Sequence, residues 1–143
     1  MIAIAKAKPD ELNAVLTLLA DTSLPRDGVA EHFEHFLVAL AEGRVVGAVG
    51  MEHYDQSALL RSLAVAAEYR GQGLGQALTE RILQEARGWG IQRVFLLTET
   101  AADFFPRFGF KPIPREAADP AVQGSVEFRT TCCQSAACMR LDL

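Results

Sequence analysis

The segment Leu63–Gly75 constrains this chain most, because it joins an apolar, strand-like run to a glycine-rich turn and then to a helix. Gly71, Gly73 and Gly75 leave room for a ligand to approach the backbone, and the first amides of the helix have no intrahelical acceptor. These amides also lie at the positive end of the helix dipole, and Arg70 adds a full positive charge. The pattern predicts a cradle for a pyrophosphate group.

Two other phosphate-binding motifs do not fit this turn. A P-loop needs Lys and then Ser or Thr after its last glycine, whereas Gln76 and Ala77 follow Gly75 here. A dinucleotide-binding fingerprint lies near the start of a repeating βα chain, whereas these glycines come in mid-chain after long strand-like segments. What remains is the pattern Arg70-x-x-Gly73-x-Gly75 after an apolar strand.

Hydrophobic periodicity predicts the order β, α, short α, three strands, α, β, α and an irregular tail that closes with a strand. The first two of the three central strands are predicted to form a hairpin with its turn at 41–44, and a βαβ unit is predicted around the glycine turn. The predicted strands are 2–6, 36–40, 45–54, 58–65, 94–98 and 137–143, and the predicted helices begin at Pro9, within 29–36, after the glycine turn and near Asp103. The helix after the glycine turn carries its inward face on Leu74, Ala77, Leu78, Ile82 and Ala86 and ends at Gly88 and Gly90.

The glycine pattern resembles the acyl-CoA-binding motif of the GNAT superfamily of N-acetyltransferases, Q/R-x-x-G-x-G/A. The segment 101–110, A-A-D-F-F-P-R-F-G-F, resembles a second hallmark of that family, a helix of the form A-x-x-F/L-Y-x-x-x-G-F that flanks the CoA arm. The resemblance covers essentially the whole chain. It implies an α/β (α+β) fold with a mixed central sheet of about six to seven strands, about four flanking helices and a single domain over residues 1–143.

A narrower resemblance extends over several loops. The segments 24–25, 31–33, 59–65, 97–105 and 135–139 look like those of the arsenic-resistance N-acetyltransferases, which are relatives of the phosphinothricin-type and N-acetylglutamate-synthase-like enzymes. This resemblance implies transfer of an acetyl group from acetyl-CoA to the primary amine of a small amino-acid-like substrate. No metal is expected, because no acidic ligand pattern surrounds His32 and His35. Two alternatives stay open: an acyl-CoA-binding sensor with weak or lost chemistry, and a protein N-acetyltransferase.

The candidate site residues fall into three groups. The resemblance implies CoA contacts by Leu63, Ala64, Val65, Arg70, Gly71, Gln72, Gly73, Leu74, Gly75, Phe104, Phe105 and Arg107. Glu52 and Glu99 are the candidate bases, because each lies near the end of a predicted strand, where the sheet should open. The candidate substrate contacts are Glu31, His32, Arg61, Thr98 and Thr100.

Each of these polar candidates also has a structural interpretation. Strand-end carboxylates are usually solvated, and Arg61 serves equally well as a substrate carboxylate clamp or as one side of a salt bridge. Many family members carry a tyrosine as general acid where this chain has Phe105, so a proton donor for the leaving thiolate must be another group, such as Tyr54 or a water molecule.

Charge and cysteine content restrict the partners. The net charge of −4 argues against nucleic acid or an anionic membrane as the main partner, since both need a basic face. The N-terminal residues show no signal-peptide pattern, which predicts a cytoplasmic protein. The expected assembly is a monomer or a homodimer. Cys132, Cys133 and Cys138 are an odd number, which does not predict a disulfide framework; they are candidates for soft-ion ligands or for buried apolar residues.

Overall fold

A mixed sheet of seven strands is the framework of the computed structural model, which describes residues 2–130 and 136–143. The strands are β1 (Ile2–Lys6), β2 (Phe36–Ala41), β3 (Arg44–Tyr54), β4 (Ser57–Val65), β5 (Arg93–Thr98), β6 (Lys111–Ile113) and β7 (Ala137–Asp142), in the order β1-β2-β3-β4-β5-β7-β6. The α-helices are α1 (Leu12–Asp21), α2 (Leu74–Gly88), α3 (Pro120–Gln123) and α4 (Val126–Thr130). Short 3₁₀ helices cover Pro9–Glu11, Ala30–His35, Ala67–Tyr69, Phe105–Phe108 and Arg115–Ala117. The predicted fold class is confirmed.

The contacts of the chain divide it into two compact units. The first contains Met1–Met51 and Arg61–Glu85, and the second contains Glu52–Leu60 and Ala86–Leu143. Along the chain, β3, β4 and α2 each pass from one unit into the other. The assignment of one domain to residues 1–143 stays a prediction.

In the first unit, β1, β2 and β3 are antiparallel, and the predicted hairpin between β2 and β3 is confirmed. Its turn is formed by Glu42 and Gly43, with φ of 51° and 78°. Two successive left-handed residues give the backbone twist that a two-residue hairpin requires. Farther along β3, a Cβ on Gly50 would lie 2.2 Å from ring atoms of Phe36, so this position has no room for a side chain.

Helix α1 packs its apolar face on the first unit's strands. The buried cluster consists of Val15, Leu18, Leu19, Val29, Phe33, Phe36, Val38, Ala48 and Ala64. Helix α1 supplies Val15, Leu18 and Leu19, which lie on one side of the helix. An amphipathic helix buries such a stripe when it packs against a sheet.

The second unit is built around β5. This strand runs parallel to β4 and antiparallel to β7, and β6 pairs with the far edge of β7. Helix α2 connects the two parallel strands, which confirms the predicted βαβ unit around the glycine turn. The buried cluster of this unit consists of Leu59, Phe95, Ala118, Val122 and Cys138, and Tyr54, Leu97, Ile113 and Phe128 pack against it.

A polar clasp joins the start of β4, the start of β5 and the residue before α3. Asp119 accepts hydrogen bonds from the Ser57 hydroxyl and from Arg93 Nε, the latter at 2.9 Å. The Ser57 hydroxyl lowers the pKa of Asp119 below its ordinary value, and Arg93 acts in the same direction against the effect of burial. The carboxylate is therefore held in its charged form.

Three local predictions differ from the structure. The Phe-rich segment forms a 3₁₀ helix over Phe105–Phe108 rather than a helix from about Asp103, with Pro106 in its first turn and Gly109 at its end with φ of 100°. Proline is tolerated in the first turn of a helix, and the left-handed Gly109 ends this one three residues after Pro106, so only one short turn fits. The short helical segment predicted within 29–36 is confirmed and is also a 3₁₀ helix, Ala30–His35.

The other differences concern α2 and the tail. Ala77 is exposed, whereas Thr79 and Leu83 are buried beside the predicted stripe. Thr79 can be buried because its hydroxyl donates to the Gly75 carbonyl one turn earlier, at 2.8 Å. The tail, predicted to be irregular, contains the short elements β6, α3 and α4.

Candidate functional site

The glycine turn before α2 has the backbone conformation that its sequence predicts. Gly71 and Gly73 have φ of 78° and 81°, in the left-handed region that L side chains rarely adopt. A Cβ at either position would meet no described atom within 4 Å, so conformation, rather than crowding within the chain, requires glycine here. The space above both residues is open to a ligand.

Helix α2 directs its first amides towards this turn. The first amide that reaches a helical acceptor is that of Ala77, which donates to the Gly73 carbonyl at 3.0 Å. The amides of Leu74, Gly75 and Gln76 precede it and carry the positive end of the dipole. A helix of 15 residues makes this end a strong anion-binding position.

Arg70 lies at the mouth of the turn and is exposed. Its Nε donates to the Val65 carbonyl at 3.1 Å, which fixes the guanidinium beside the end of β4. Gln72 reaches back to the Glu68 carbonyl at 3.5 Å. The structure thus brings the predicted cradle and the end of β4 together.

Strand β4 is irregular just before the cradle. Ser62 has φ of 61° although it lies in mid-strand and is buried. A left-handed residue in a strand reverses the local direction of the peptide groups. After it, Leu63 and Val65 are half-buried and Ala64 is buried, so two of the predicted CoA contacts keep access to solvent.

Arg61 is buried, with only 2% of its surface exposed. Its Nε donates to Ser62 Oγ at 3.0 Å and its Nη2 donates to the Pro25 carbonyl at 3.3 Å. The side chain therefore connects β4 with the loop that follows α1. These contacts are to neutral oxygens and leave both sequence interpretations of Arg61 untested.

Glu52 is fully buried, with 0% of its surface exposed, in the second unit. Its Oε1 accepts hydrogen bonds from the Tyr54 hydroxyl and from Ser125 Oγ, the latter at 2.8 Å. Glu99, the other candidate base, is exposed just after β5. The two carboxylates thus have opposite surroundings, and Ser125 is a polar partner that the sequence did not indicate.

The remaining predicted contacts occupy varied positions. Thr98 is half-buried, and its Oγ1 accepts a hydrogen bond from the Ala101 amide at 2.9 Å. Thr100 and Glu31 are exposed, and His32 is half-buried in the 3₁₀ helix before β2.

The predicted aromatic flank forms one cluster in the second unit. Phe105 is buried, with its ring edge-on to Phe104 and to Phe110. The Arg107 guanidinium carbon lies 5.6 Å from the centre of the Phe104 ring. No hydroxyl is present at the position of the family's tyrosine.

The cysteines contribute little to the described site. Cys138 is a free, buried thiol, and burial raises its pKa, so it behaves as a small apolar residue. Cys132 and Cys133 lie outside the described residues. Within 2–130 and 136–143, no cluster of three or more His, Cys, Asp or Glu side chains suits a metal ion, and no helix is long and apolar enough to cross a membrane.

Comparison with known proteins identifies the family. Residues 32–112, more than half of the chain, match the model of the acetyltransferase (GNAT) domain. The chain belongs to the GNAT family. The matched region contains the glycine turn, the Phe-rich segment and both candidate bases.

Relatives and a solved structure agree with this GNAT assignment. An uncharacterized N-acetyltransferase of Chlorobaculum tepidum is 36% identical over 91 residues, which are 63% of this chain and 58% of that protein. An amino-acid acetyltransferase of Pseudomonas aeruginosa is 34% identical over 103 residues, 71% of this chain and 24% of that protein. The chain thus matches less than two thirds of either relative. A Mycobacterium tuberculosis protein solved with CoA and NLQ superposes with a TM-score of 0.80 at 26% identity, covering 99% of both chains.

Proposed function

We propose that this GNAT chain is an acetyl-CoA-dependent N-acetyltransferase that acetylates the primary amine of a small amino-acid-like molecule. The observation that carries the proposal is the turn from Arg70 to Gly75, which presents a cation and the first amides of α2 to one open space. This arrangement suits the doubly charged pyrophosphate of CoA. The similar Mycobacterium tuberculosis structure, which contains CoA, supports this ligand.

Two further groups of residues are proposed to contact the rest of the CoA molecule. The backbone edges of Leu63 and Val65 suit the amide groups of the pantetheine arm, because both residues keep solvent access in β4. The cluster of Phe104, Phe105 and Arg107 supplies apolar surface and a positive charge for the flank of the arm.

The reaction requires a base, because an amine with a pKa of about 10 is protonated at neutral pH. Glu52 is the better candidate of the two carboxylates, since hydroxyl groups hold it in a fixed position away from bulk water, whereas Glu99 is solvated. Attack of the free amine on the thioester builds an oxyanion, which a backbone amide after the Ser62 irregularity is suited to stabilise. The departing thiolate, with a pKa of about 8.5, is a tolerable leaving group without a tyrosine at residue 105.

The acceptor is proposed from the relatives' names and from Arg61. Relatives are named amino-acid acetyltransferases, and a guanidinium is the side chain best suited to hold a carboxylate by two parallel hydrogen bonds. Glutamate and its phosphinic or arsenic analogues are therefore the acceptors to test first. The further proposed acceptor contacts are Glu31, His32, Thr98 and Thr100.

Thiol release from acetyl-CoA tests this function directly. The panel of acceptors contains glutamate, its phosphinic and arsenic analogues, methionine derivatives, polyamines and a peptide with a free N-terminus. We expect release with at least one α-amino acid or analogue and none with its N-acetylated form. Activity only with the peptide would favour a protein N-acetyltransferase instead.

Arg61→Lys tests the carboxylate clamp. We expect the KM of the best amino acid to rise while the KM of its carboxamide stays the same, because only the first presents a carboxylate. An unchanged KM for the amino acid would remove Arg61 from the acceptor site. The affinity for CoA, measured by calorimetry, serves as the control for folding.

An acyl-CoA-binding sensor is the second candidate, favoured by the absence of a hydroxyl at Phe105. Binding of CoA without thiol release for any amine in the panel would support the sensor and contradict the enzyme.

A further inference from the structure

In the cluster of Glu52, Tyr54 and Ser125, two hydroxyl groups donate hydrogen bonds to the same oxygen of the candidate base Glu52. Glu52 and Ser125 are 0% and 2% exposed, and they lie 73 residues apart in the sequence. A buried carboxylate costs several kcal/mol unless hydrogen bonds compensate for the lost water. These residues therefore form a buried, hydrogen-bonded polar cluster near the end of β3.

The Ser125 hydroxyl has a fixed direction. Its oxygen accepts a hydrogen bond from the Glu127 amide at 3.1 Å, so its single proton is directed to Glu52 Oε1 at 2.8 Å. The Ser125 carbonyl also accepts from the amides of Phe128 and Arg129, both at 3.1 Å. The start of α4 thus holds the donor and aims it at the carboxylate.

Tyr54 is the other partner of the same carboxylate oxygen. Its hydroxyl donates to Glu52 Oε1, and its side chain is half-buried where Glu52 is completely enclosed. A phenol hydroxyl can accept one proton while it donates another. It is therefore a route by which a proton can reach a carboxylate that solvent does not touch.

On the basis of the proposed function, we infer that Tyr54 relays the proton of the acceptor amine to Glu52 and that Ser125 is a positioning residue that holds Glu52 for this relay. The ammonium gives a proton to Tyr54 Oη as the Tyr54 proton passes to Glu52 Oε1, so the phenol is neutral before and after. The amine nitrogen then forms the C–N bond, and the C–S bond breaks with its electron pair going to sulfur. The second nitrogen proton goes to the thiolate, and Glu52 returns its proton to solvent through the Tyr54 hydroxyl in the reverse direction.

Single substitutions test the two roles. We expect Ser125→Ala to lower kcat about 10-fold, which corresponds to roughly 1.4 kcal/mol of barrier height, with the KM for acetyl-CoA unchanged. Tyr54→Phe removes the relay and lowers kcat about 100-fold. Ser125→Thr keeps the hydroxyl and restores most of the activity lost in Ser125→Ala.

Ser57→Ala is the matched control, because it removes another buried hydroxyl that donates to a carboxylate in the same unit. We expect it to lower the melting temperature as Ser125→Ala does but to leave kcat unchanged. In a Glu52→Gln background, Ser125→Ala and Tyr54→Phe lower kcat less than 2-fold, because both act through Glu52.

The possible failures are distinguishable. If the wild type releases thiol but Tyr54→Phe keeps its full kcat, or if the losses persist in the Glu52→Gln background, the relay is wrong while the proposed function stands. If Ser125→Ala keeps its full kcat or Ser57→Ala loses as much, the positioning role of Ser125 is wrong. If the wild type binds CoA and acetylates no amine, the proposed function fails and the relay with it.

Discussion

At the scale of single residues, the surroundings of Glu52 and Glu99 predict unequal effects of substitution. Glu52 is enclosed with two hydroxyl donors, whereas Glu99 is solvated. We expect Glu52→Gln to lower kcat about 100-fold or more, as loss of a general base does. Glu99→Gln is the matched control and changes kcat little. Steady-state thiol release measures both, and equal kcat values for Glu52→Gln and wild type would eliminate this base.

Gly73 allows a test of the CoA cradle by conformation alone. An L side chain at its φ of 81° costs about 1–2 kcal/mol, although the added Cβ would touch nothing. If the cradle must keep this conformation to bind CoA, Gly73→Ala raises the Kd for CoA by about 5- to 30-fold. Gly43→Ala imposes the same strain in the β2–β3 turn, at φ of 78° and also in open space, and leaves this Kd unchanged. Calorimetric titration with CoA compares the two variants.

At this scale, the sequence predicted those site features whose residues lie close together along the chain and missed those whose residues lie far apart. The glycines and Arg70 form a continuous pattern, so the amino-acid sequence alone predicts the anion cradle. The bond from Ser125 to Glu52 joins residues 73 positions apart, and no periodicity encodes such a pair. The irregularity at Ser62 was missed because serine gives no signal for a left-handed φ.

At the scale of elements, too, the sequence predicts what nearby residues determine and misses what depends on residues far apart in the chain. The limits of β1 and the turn at Glu42 and Gly43 follow from local alternation and turn chemistry, and the structure confirms them. Strand β6 was missed because three residues that include Pro112 show no period and owe their extended form to pairing with β7.

The clasp between β4, β5 and the start of α3 predicts how the stability depends on pH. Because the Ser57 hydroxyl and then Arg93 lower the pKa of Asp119 in the folded state, its ionised form stabilises the fold. This stability is complete above the ordinary aspartate pKa of 3.8 and is lost as the pH falls from there through the lower pKa of the folded state. Arg140 adds a smaller attraction of the same sign.

Asp119→Asn tests this dependence. At pH 7 we expect the variant to be less stable than wild type by about 1–2 kcal/mol, the range for a partly exposed charged hydrogen bond. The difference should shrink as the pH falls below about 4. Urea unfolding at pH 7, 5, 4 and 3 measures it, and a difference that is constant over this range would contradict the assignment.

At the scale of the whole molecule, two compact units share a continuous chain through β3, β4 and α2. Cutting any of these elements at the boundary would break a strand or helix in the middle, so neither unit can unfold without disrupting elements of the other. We therefore predict one cooperative thermal transition for residues 1–143, with equal calorimetric and van't Hoff enthalpies. Separate transitions in scanning calorimetry would show that the chain folds as two domains.

Ligand binding and paired variants extend this prediction. CoA at 100 times its Kd should raise the single transition by roughly 5–10 °C, because it adds about 2.7 kcal/mol of stability at about 2–4 °C per kcal/mol. Gly50→Ala forces a Cβ against Phe36 in the first unit, and Asp119→Asn breaks the clasp in the second. If the units fold together, each variant lowers the same transition without splitting it, and CoA shifts the whole of that transition in both. If a variant shifted only part of the heat-absorption peak, that part would belong to the unit that contains the substitution. The chain would then not fold as a single domain.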